Sequence, residues 1–132
     1  MEQTLMIIKP NAVAKAEEII GRVKQEGFAV RQTKTLSLTS QEAEEFYAVH
    51  KGKPFFADLV RFMDSGQIVV ALLERRDAVS YLRKTVGATD PSEAAEGTLR
   101  ESYGTSKTQN AVHASDSLAN AKKEIEFFFN NS

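Results

Sequence analysis

The sequence of 132 residues contains no cysteine and no tryptophan. The lack of cysteine excludes disulfide bonds, zinc–thiolate sites and thiol nucleophiles, and it suits a reducing compartment. An excess of one charge is also missing, because 17 lysines and arginines stand against 18 aspartates and glutamates. With a net charge of -1, the chain has no overall attraction for nucleic acid or an anionic membrane. Any anion that it binds must be held by local cations.

No segment has the pattern of a targeting signal. The opening residues Met1–Thr4 include an acid, and the apolar run after them is too short for a signal peptide or a membrane span. We therefore expect a cytoplasmic protein. The hydrophobic share of 42% and charged share of 27% are ordinary for a globular protein. The length predicts one domain, residues 1–132, with a substantial core.

Apolar runs and helical periods predict the order of the elements. Continuous apolar runs at Leu5–Ile8 and Ile68–Leu73 predict strands that are buried on both faces and central in a sheet. Two more polar strands are expected, an edge strand at Phe28–Leu38 and a short one at Gln109–Val112. Helical patterns lie at Ala14–Glu26, from a cap at Thr39 to about Val49, at Phe55–Met63, from a cap at Asp77 to about Val86, and at Leu118–Phe129.

This order indicates two βαβ-like halves. The expected fold is an α/β (α+β) ferredoxin-like sandwich, with a four-stranded antiparallel sheet covered by helices. One segment, Gly87–Lys107, has no clear period. A loop of that length in a small domain is usually functional. The fold alone does not decide the function.

A single histidine follows the last predicted strand. His113 comes directly after Val112, and Ser115, Asp116 and Ser117 offer N-cap chemistry for the helix that follows. Backbone N–H groups at such a helix start attract anions. Without cysteine, this imidazole is the best nucleophile at neutral pH. A histidine at a turn can also cap or pack without any chemistry, and this segment alone leaves both interpretations open.

Three other stretches combine cations with turn residues. Lys9 ends a buried strand, where a charge is unusual, and Arg83 ends a helix ahead of Thr89. Arg100 follows Gly97–Thr98 in the long segment. Phosphoryl chemistry needs cations and hydroxyl or backbone donors around the phosphates, and a group that receives the phosphoryl. Each stretch is weak by itself, because arginines at helix ends are usually solvated.

Four segments, in order, resemble the motifs of nucleoside diphosphate kinases. Asn110–Ser117 resembles N-x-x-H-G-S-D-S, and Lys9–Val13 resembles K-P-D-A-V. His50–Phe56 is similar to H-x-x-K-P-F-F, and Gly97–Arg100 to G-T-I-R. The resemblance covers nearly the whole chain with several independent motifs, so accidental similarity is a poor explanation. It implies a kinase that transfers the γ-phosphate of a nucleoside triphosphate to a nucleoside diphosphate, by a ping-pong mechanism and with little base specificity.

The resemblance assigns a role to each matching position. His113 would accept the phosphoryl group as a phosphohistidine. Arg83, Thr89 and Arg100 would clamp the phosphates, for which guanidinium groups are suited. Lys9 and Asn110 would bind the sugar hydroxyls, with Lys9 also near the transferred phosphate.

Four further residues would support the reaction. Tyr47 would lie beside the histidine, and Ser115 and Glu124 would orient the imidazole. Phe55 and Leu59, one helical turn apart, would clamp the base. The alternative for Phe55 and Leu59 is ordinary core packing, and for Glu124 it is a solvated helix face.

No cluster of metal ligands occurs in the sequence. The resemblance therefore implies Mg²⁺ held mainly by the nucleotide phosphates and water. The expected partners are nucleoside tri- and diphosphates and further copies of the chain, in a homo-oligomer built on dimers such as a tetramer or hexamer. No nucleic-acid or membrane partner is expected. Two other classes of protein are alternatives. A catalytically inactive nucleotide sensor would lack the nucleophile or the clamp, and neither is missing; a nucleic-acid-binding module is disfavoured by the net charge.

The chain departs from the family pattern at several positions. Ala114 replaces a glycine, which would cost roughly 1 kcal/mol if that residue had a positive φ. Asn11 replaces an aspartate and Glu96 a proline, and the entry to the first helix is a couple of residues shorter. The chain also stops soon after Phe129, which argues against the largest assemblies. Outside the motif roles, we expect His50 and Arg75–Arg76 to be solvated and assign them no chemistry.

Overall fold

Four antiparallel strands form the centre of the fold. The computed structural model describes residues 1–129, and the strands are β1 (Glu2–Ile8), β2 (Ala29–Ser37), β3 (Gln67–Arg75) and β4 (Val112–Ala114). They form one sheet in the order β2–β3–β1–β4, and each neighbouring pair is antiparallel. The two apolar strands are central and β2 is at an edge, as predicted. This order is that of a ferredoxin-like sheet, which confirms the predicted fold class.

Six α-helices connect and cover the strands. They are α1 (Ala16–Gln25), α2 (Ser40–Phe46), α3 (Phe56–Met63), α4 (Ala78–Val86), α5 (Leu99–Tyr103) and α6 (Leu118–Phe129), with 3-10 helices at Pro10–Lys15 and Ala48–His50. Residues 130–132, which belong to the predicted domain, lie outside the described residues. Along residues 1–129, no helix combines the length and the apolar character needed to cross a bilayer.

The central strands serve two hydrophobic cores, because successive side chains of a strand point to opposite faces. Met6 and Ile8 of β1 pack in a core with buried residues of α1 and α4. Leu5 and Ile7 pack in a second core with buried residues of α2, α3 and α6. All four side chains are fully buried. This explains the continuous apolar sequence of β1.

Two predicted boundaries were wrong, and one helix was missed. The first helix begins with a 3-10 helix, and its α-helical part starts at Ala16. The segment predicted as a loop contains α5, whose Thr98 side chain accepts a hydrogen bond from the backbone of Glu101. The last strand is Val112–Ala114 instead of Gln109–Val112, so His113 lies within the strand.

Arg75 is a structural residue, which corrects the expectation that it is solvated. Its Nε donates to the carbonyl oxygen of Glu26 over 2.8 Å. Its guanidinium carbon lies 3.5 Å from the centre of the Tyr81 ring, a cation–π geometry. Arg75 thus closes the C-terminal end of α1 against α4. Its neighbour Arg76 is exposed, as expected.

The start of α4 depends on a residue near the N-terminus of the chain. Asp77 has a left-handed backbone with φ of 52° and makes no side-chain cap, so the prediction that it caps this helix was wrong. The carboxylate of Glu2 instead accepts a hydrogen bond of 2.8 Å from the backbone N–H of Val79. It satisfies one of the free N–H groups at the helix start.

We expect Glu2→Ala to lower the free energy of unfolding by about 1 kcal/mol, the usual loss for a removed cap. The measurement is urea denaturation of the variant and the parent protein. Glu44→Ala is the matched control, because Glu44 is an exposed helical glutamate. An equal loss in both variants would contradict the capping role.

Candidate active site

Strand β4 and helix α6 together position His113. Its imidazole Nε2 lies 2.7 Å from Glu124 Oε1 of α6. A carboxylate accepts hydrogen bonds, so in the neutral imidazole this contact places the proton on Nε2 and leaves a lone pair on Nδ1. Ser115 Oγ donates to the same Glu124 oxygen over 2.7 Å. The structure therefore brings these three predicted residues together and rules out a solvated helix face for Glu124.

The Ser-Asp-Ser segment begins α6, as its predicted cap chemistry requires. Ser117 Oγ accepts a hydrogen bond of 3.1 Å from the backbone N–H of Asn120. The Asn120 side-chain amide donates to Asp116 Oδ1 over 2.6 Å. That hydrogen bond is the main cause that lowers the pKa of Asp116 below its usual value. The helix that carries Glu124 thus has a fixed start.

Two aromatic rings flank the imidazole. The Tyr47 ring is edge-on at 6.0 Å between centroids, and the Phe46 ring is edge-on at 5.3 Å. The Tyr47 hydroxyl is buried and has no hydrogen-bond partner among residues 1–129. Burial, and then Glu124, raises the pKa of Tyr47, so its hydroxyl stays protonated. Sequence reasoning missed Phe46, whose signal was an aromatic residue at a helix end beside Tyr47.

A buried lysine lies at the end of β1. Lys9 Nζ donates to Asn110 Oδ1 over 2.8 Å, and Asn110 Nδ2 donates to the carbonyl oxygen of Thr89 over 3.0 Å. Burial, and then Arg100, lowers the pKa of Lys9 to about 7. The structure therefore links three residues that the sequence assigned to one nucleotide site.

Arg100 connects α5 to the histidine strand. Its guanidinium donates to the carbonyl oxygens of Gly87 and Val112, each over 3.0 Å. Burial, and then Arg83, lowers the pKa of Arg100 to about 10, so it remains cationic at neutral pH. Arg83 in the last turn of α4 and Thr89 are exposed.

Gly87, at the end of α4, lies close to Thr98 at the start of α5. Its φ is 93°, and a Cβ there would lie 2.6 Å from Thr98 Oγ1. Only glycine combines that backbone conformation with that close approach. Gly87 thus allows the cap of α5 to lie against the end of α4, which carries Arg83.

The two proposed base-binding residues differ in exposure. Phe55, directly before α3, is 44% exposed, whereas Leu59 is 7% exposed and belongs to the second core. Leu59 is therefore packed in the core, whereas the Phe55 ring is exposed to solvent. His50 is half-buried, which corrects the expectation of exposure. Its ring lies 5.2 Å from that of Phe55, and burial, followed by the charge of Lys53, lowers its pKa.

The backbone strain near the histidine lies at Ala111, which has φ of 78°. The Val112 N–H donates to the Asn110 carbonyl oxygen over 3.0 Å, so Ala111 is the centre of a γ-turn, a rare and strained conformation. The Lys9 N–H donates to the Ala111 carbonyl oxygen over 2.7 Å and holds the turn against β1. Ala114 lies in β4 and is not among the positive-φ residues, so replacing the family's glycine carries no such cost.

Asn11, the other conspicuous departure from the family pattern, makes a contact that an aspartate could not make. Its side-chain amide donates to the Gln109 carbonyl oxygen over 3.0 Å. In the described part of the chain, no group of three or more histidine, aspartate or glutamate side chains could hold a metal ion.

The ferredoxin-like sheet and its carboxylate-bound histidine agree with the class of phosphotransferases that work through histidine, and the comparisons identify the family. The family model "Nucleoside diphosphate kinase" matches residues 2–132. The chain belongs to the nucleoside diphosphate kinase family. It is 53% identical over 134 residues to the Campylobacter lari nucleoside diphosphate kinase, covering 100% of this chain and 98% of that protein.

Two further comparisons agree. The Wolinella succinogenes nucleoside diphosphate kinase is 55% identical over 131 residues, covering 98% of this chain and 96% of the relative. A crystal structure of the Aquifex aeolicus nucleoside diphosphate kinase superposes with a TM-score of 0.95 at 44% identity, covering 98% of this chain and 96% of the other. The activity is therefore phosphoryl transfer between nucleoside tri- and diphosphates by a ping-pong, phosphohistidine mechanism. The family binds nucleoside phosphates and generally uses a divalent metal ion.

The lowered pKa of Lys9 gives a pH dependence of stability. Between about pH 7 and the ordinary lysine pKa of 10.5, the unfolded chain holds a proton on Lys9 that the folded protein has lost. The free energy of unfolding therefore rises with pH in this window, by at most about 1.4 kcal/mol per pH unit from this group. Below pH 7 both states are protonated and the contribution is constant.

We expect the unfolding free energy of the parent protein to rise relative to that of Lys9→Met between pH 7 and pH 9. Urea denaturation of both proteins without nucleotide, at three pH values, measures the difference. The variant carries every other titrating group, so their effects cancel. Parallel pH profiles would contradict the lowered pKa of Lys9.

Proposed function

We propose that His113 Nδ1 attacks the γ-phosphorus of a nucleoside triphosphate. A P–N bond forms, the bond from phosphorus to the β–γ bridging oxygen breaks, and that oxygen leaves with the electron pair on the diphosphate. A second nucleoside diphosphate then reverses the step and takes the phosphoryl group. The observation that carries this assignment is the hydrogen bond from His113 Nε2 to Glu124, because it leaves Nδ1 as the free nucleophile.

The cations and polar groups around His113 are proposed to hold the nucleotide. Arg83, Thr89 and Arg100 clamp the phosphates, and Lys9 and Asn110 bind the sugar hydroxyls, with Lys9 near the transferred group. The linked contacts of Lys9, Asn110 and Thr89 support one continuous site. Because its pKa is about 7, Lys9 is partly neutral in the free protein at neutral pH. A bound negative phosphate favours its protonated form.

The remaining roles concern the imidazole and the base. Glu124 and Ser115 orient the imidazole. Glu124 supplies the carboxylate oxygen that contacts His113 Nε2, and Ser115 donates a hydrogen bond to the same oxygen. Tyr47 provides a buried hydroxyl beside the ring that can donate to the transferred phosphate. Phe55 stacks on the base. Leu59, one helical turn further along, packs in the core and supports Phe55 from below.

We propose Mg²⁺ as the divalent ion, held by the phosphates of the nucleotide and by water. Hard oxygen ligands suit this ion, and it usually retains several waters in nucleotide sites. When bound, it neutralises phosphate charge during the transfer. Asp116 is the nearest carboxylate in sequence to His113, and its lowered pKa keeps it ionised. It can therefore accept hydrogen bonds from water bound to the ion.

We expect His113→Ala to abolish both ³²P labelling by γ-labelled ATP and turnover with GDP, because it removes the nucleophile. The chain has two histidines, so His50→Ala is the matched control. That variant should still acquire acid-labile, alkali-stable phosphate. Label on the His113→Ala protein, at any residue, would contradict the assignment.

A second expectation concerns the base. Phe55 and Leu59 offer apolar contacts, and stacking on an aromatic ring tolerates every base. We expect kcat/KM for the four common nucleoside diphosphates, at fixed ATP, to agree within about tenfold and to favour purines modestly. A preference above about a thousandfold, roughly 4 kcal/mol, would mean that a polar group reads the base.

Phe55→Ala tests the stacking directly. It should raise KM for every diphosphate by roughly five- to a hundredfold, the usual range for a lost base–aromatic contact. Phe127→Ala removes another exposed ring and is the control. Unchanged KM values in Phe55→Ala would contradict the base-binding role.

The protein is also proposed to work as a cytoplasmic homo-oligomer built on dimers, in a tetramer or hexamer. The absence of cysteine suits a reducing compartment. The outer edge of β2 has no partner strand among residues 1–129 and offers a surface for a second copy. Light scattering at micromolar concentration should give at least twice the chain mass of 14.6 kDa. A single species of monomer mass would contradict it.

A further inference from the structure

Glu124 by itself does not fix the plane of the imidazole. A single hydrogen bond at Nε2 fixes the tautomer, but it constrains the ring plane only weakly, because Nε2 lies close to the Cβ–Cγ axis about which the ring turns. Nδ1 must nevertheless point at the incoming phosphorus, and reacting atoms need close alignment. Other contacts must therefore set the ring plane.

Phe46 supplies such a contact. Its ring lies 5.3 Å from the imidazole with 73° between the planes, which is a favourable edge-to-face geometry. Tyr47 meets the imidazole at 88°. Two rings that are nearly perpendicular to the imidazole restrict its rotation about the Cβ–Cγ bond, which the hydrogen bond to Glu124 constrains only weakly.

Phe46 is itself held from the helix that carries Glu124. Its ring lies 5.2 Å from that of Phe128 and 5.4 Å from that of Phe127, both in α6. Phe128 is 6% exposed and belongs to the second core. Helix α6 therefore contacts the imidazole directly through Glu124 and indirectly through Phe46.

We propose that Phe46 is a positioning residue for the nucleophile: its ring holds the His113 imidazole in the plane that directs Nδ1 at the transferred phosphorus. This inference rests on the proposed function of His113. The aromatic contacts of Phe46 are with His113, Tyr47, Phe127 and Phe128. None of these belongs to the proposed phosphate clamp or is proposed to bind the sugar or the base. Phe46 should therefore affect the rate of phosphorylation and leave nucleotide affinity unchanged.

The test uses Phe46→Leu, which keeps an apolar side chain and removes the ring. Rapid-quench labelling with γ-labelled ATP should show a first-order phosphorylation rate lower by about three- to tenfold, the effect of one aromatic pair. The ATP concentration for half-maximal rate should change by less than twofold. Phe46→Tyr, which restores a ring, should recover most of the rate.

Phe62→Leu is the matched control. Phe62 packs against the same second core, and within residues 1–129 its ring contacts neither Phe46 nor His113, so this variant should keep the parent rate within about twofold. Thermal unfolding is measured for each variant, and Phe46→Met replaces Phe46→Leu if that variant does not unfold cooperatively. An unchanged rate in the ringless variant, or an equal loss in Phe62→Leu, would overturn the proposal.

A double-mutant cycle separates positioning from general stability. If Phe46 and Glu124 both act through one imidazole, the fold-loss of Phe46→Leu should differ at least twofold between the parent and the Glu124→Gln background. Equal losses in both backgrounds would overturn the positioning role. If the parent protein acquires no phosphate on His113, the proposed function itself fails. If it is labelled normally and Phe46→Leu reacts at the same rate, only this inference fails.

Discussion

One oxygen atom of Glu124 lies between the imidazole of His113 and the hydroxyl of Ser115, at 2.7 Å from each. This shared oxygen fixes the tautomer of the proposed nucleophile, and it also joins α6 to the end of β4. Because α6 packs on β1 in the second core, the position of the carboxylate follows from hydrophobic packing. The orientation of the His113 imidazole therefore depends on the core.

The short pairing of β4 with β1 has a similar effect on the cations. Three residue pairs hold β4, with His113 opposite Ile7. The strained turn at Ala111 comes just before them, and its carbonyl oxygen accepts from the backbone of Lys9. Lys9, directly after β1, and His113, in β4, are thus held by neighbouring strands, and Asn110 contacts Lys9 from the turn itself. The strained Ala111 therefore lies between the residue that meets Lys9 and the strand that carries His113.

The sequence predicted the features that depend on long or chemically distinctive patterns. The apolar runs in β1 and β3 identified the central strands, because burial on both faces requires apolar residues in succession. The family resemblance predicted that Glu124 and Ser115 orient the imidazole, and the structure places Glu124 on His113 Nε2 and Ser115 on the same carboxylate oxygen. The five residues of α5 are too few for a helical period to show, so that helix was missed.

Other features depend on contacts between distant residues. Glu2 caps α4, and Arg75 closes α1, only because the fold brings these chain segments together. Phe46 lies against His113 because α2 ends beside β4. Ala111 has the positive φ, and Ala114 does not. The sequence could not predict this, because the identity of a side chain does not reveal which residue of a turn carries the strain. Burial of Leu59 likewise depends on how α3 packs on the sheet.

The cations of the site have a consequence for the lifetime of the protein. Lys9 and Arg100 are both desolvated, and neither takes part in the ion pairs found within residues 1–129. They also repel each other, since Arg100 helps to lower the pKa of Lys9. An anion bound between them, as proposed for the nucleotide phosphates, would relieve this repulsion only in the folded state. At a free concentration 100 times its dissociation constant, a ligand adds about 2.7 kcal/mol to stability. A ligand that binds only the folded chain therefore lowers the unfolded fraction on which proteases act.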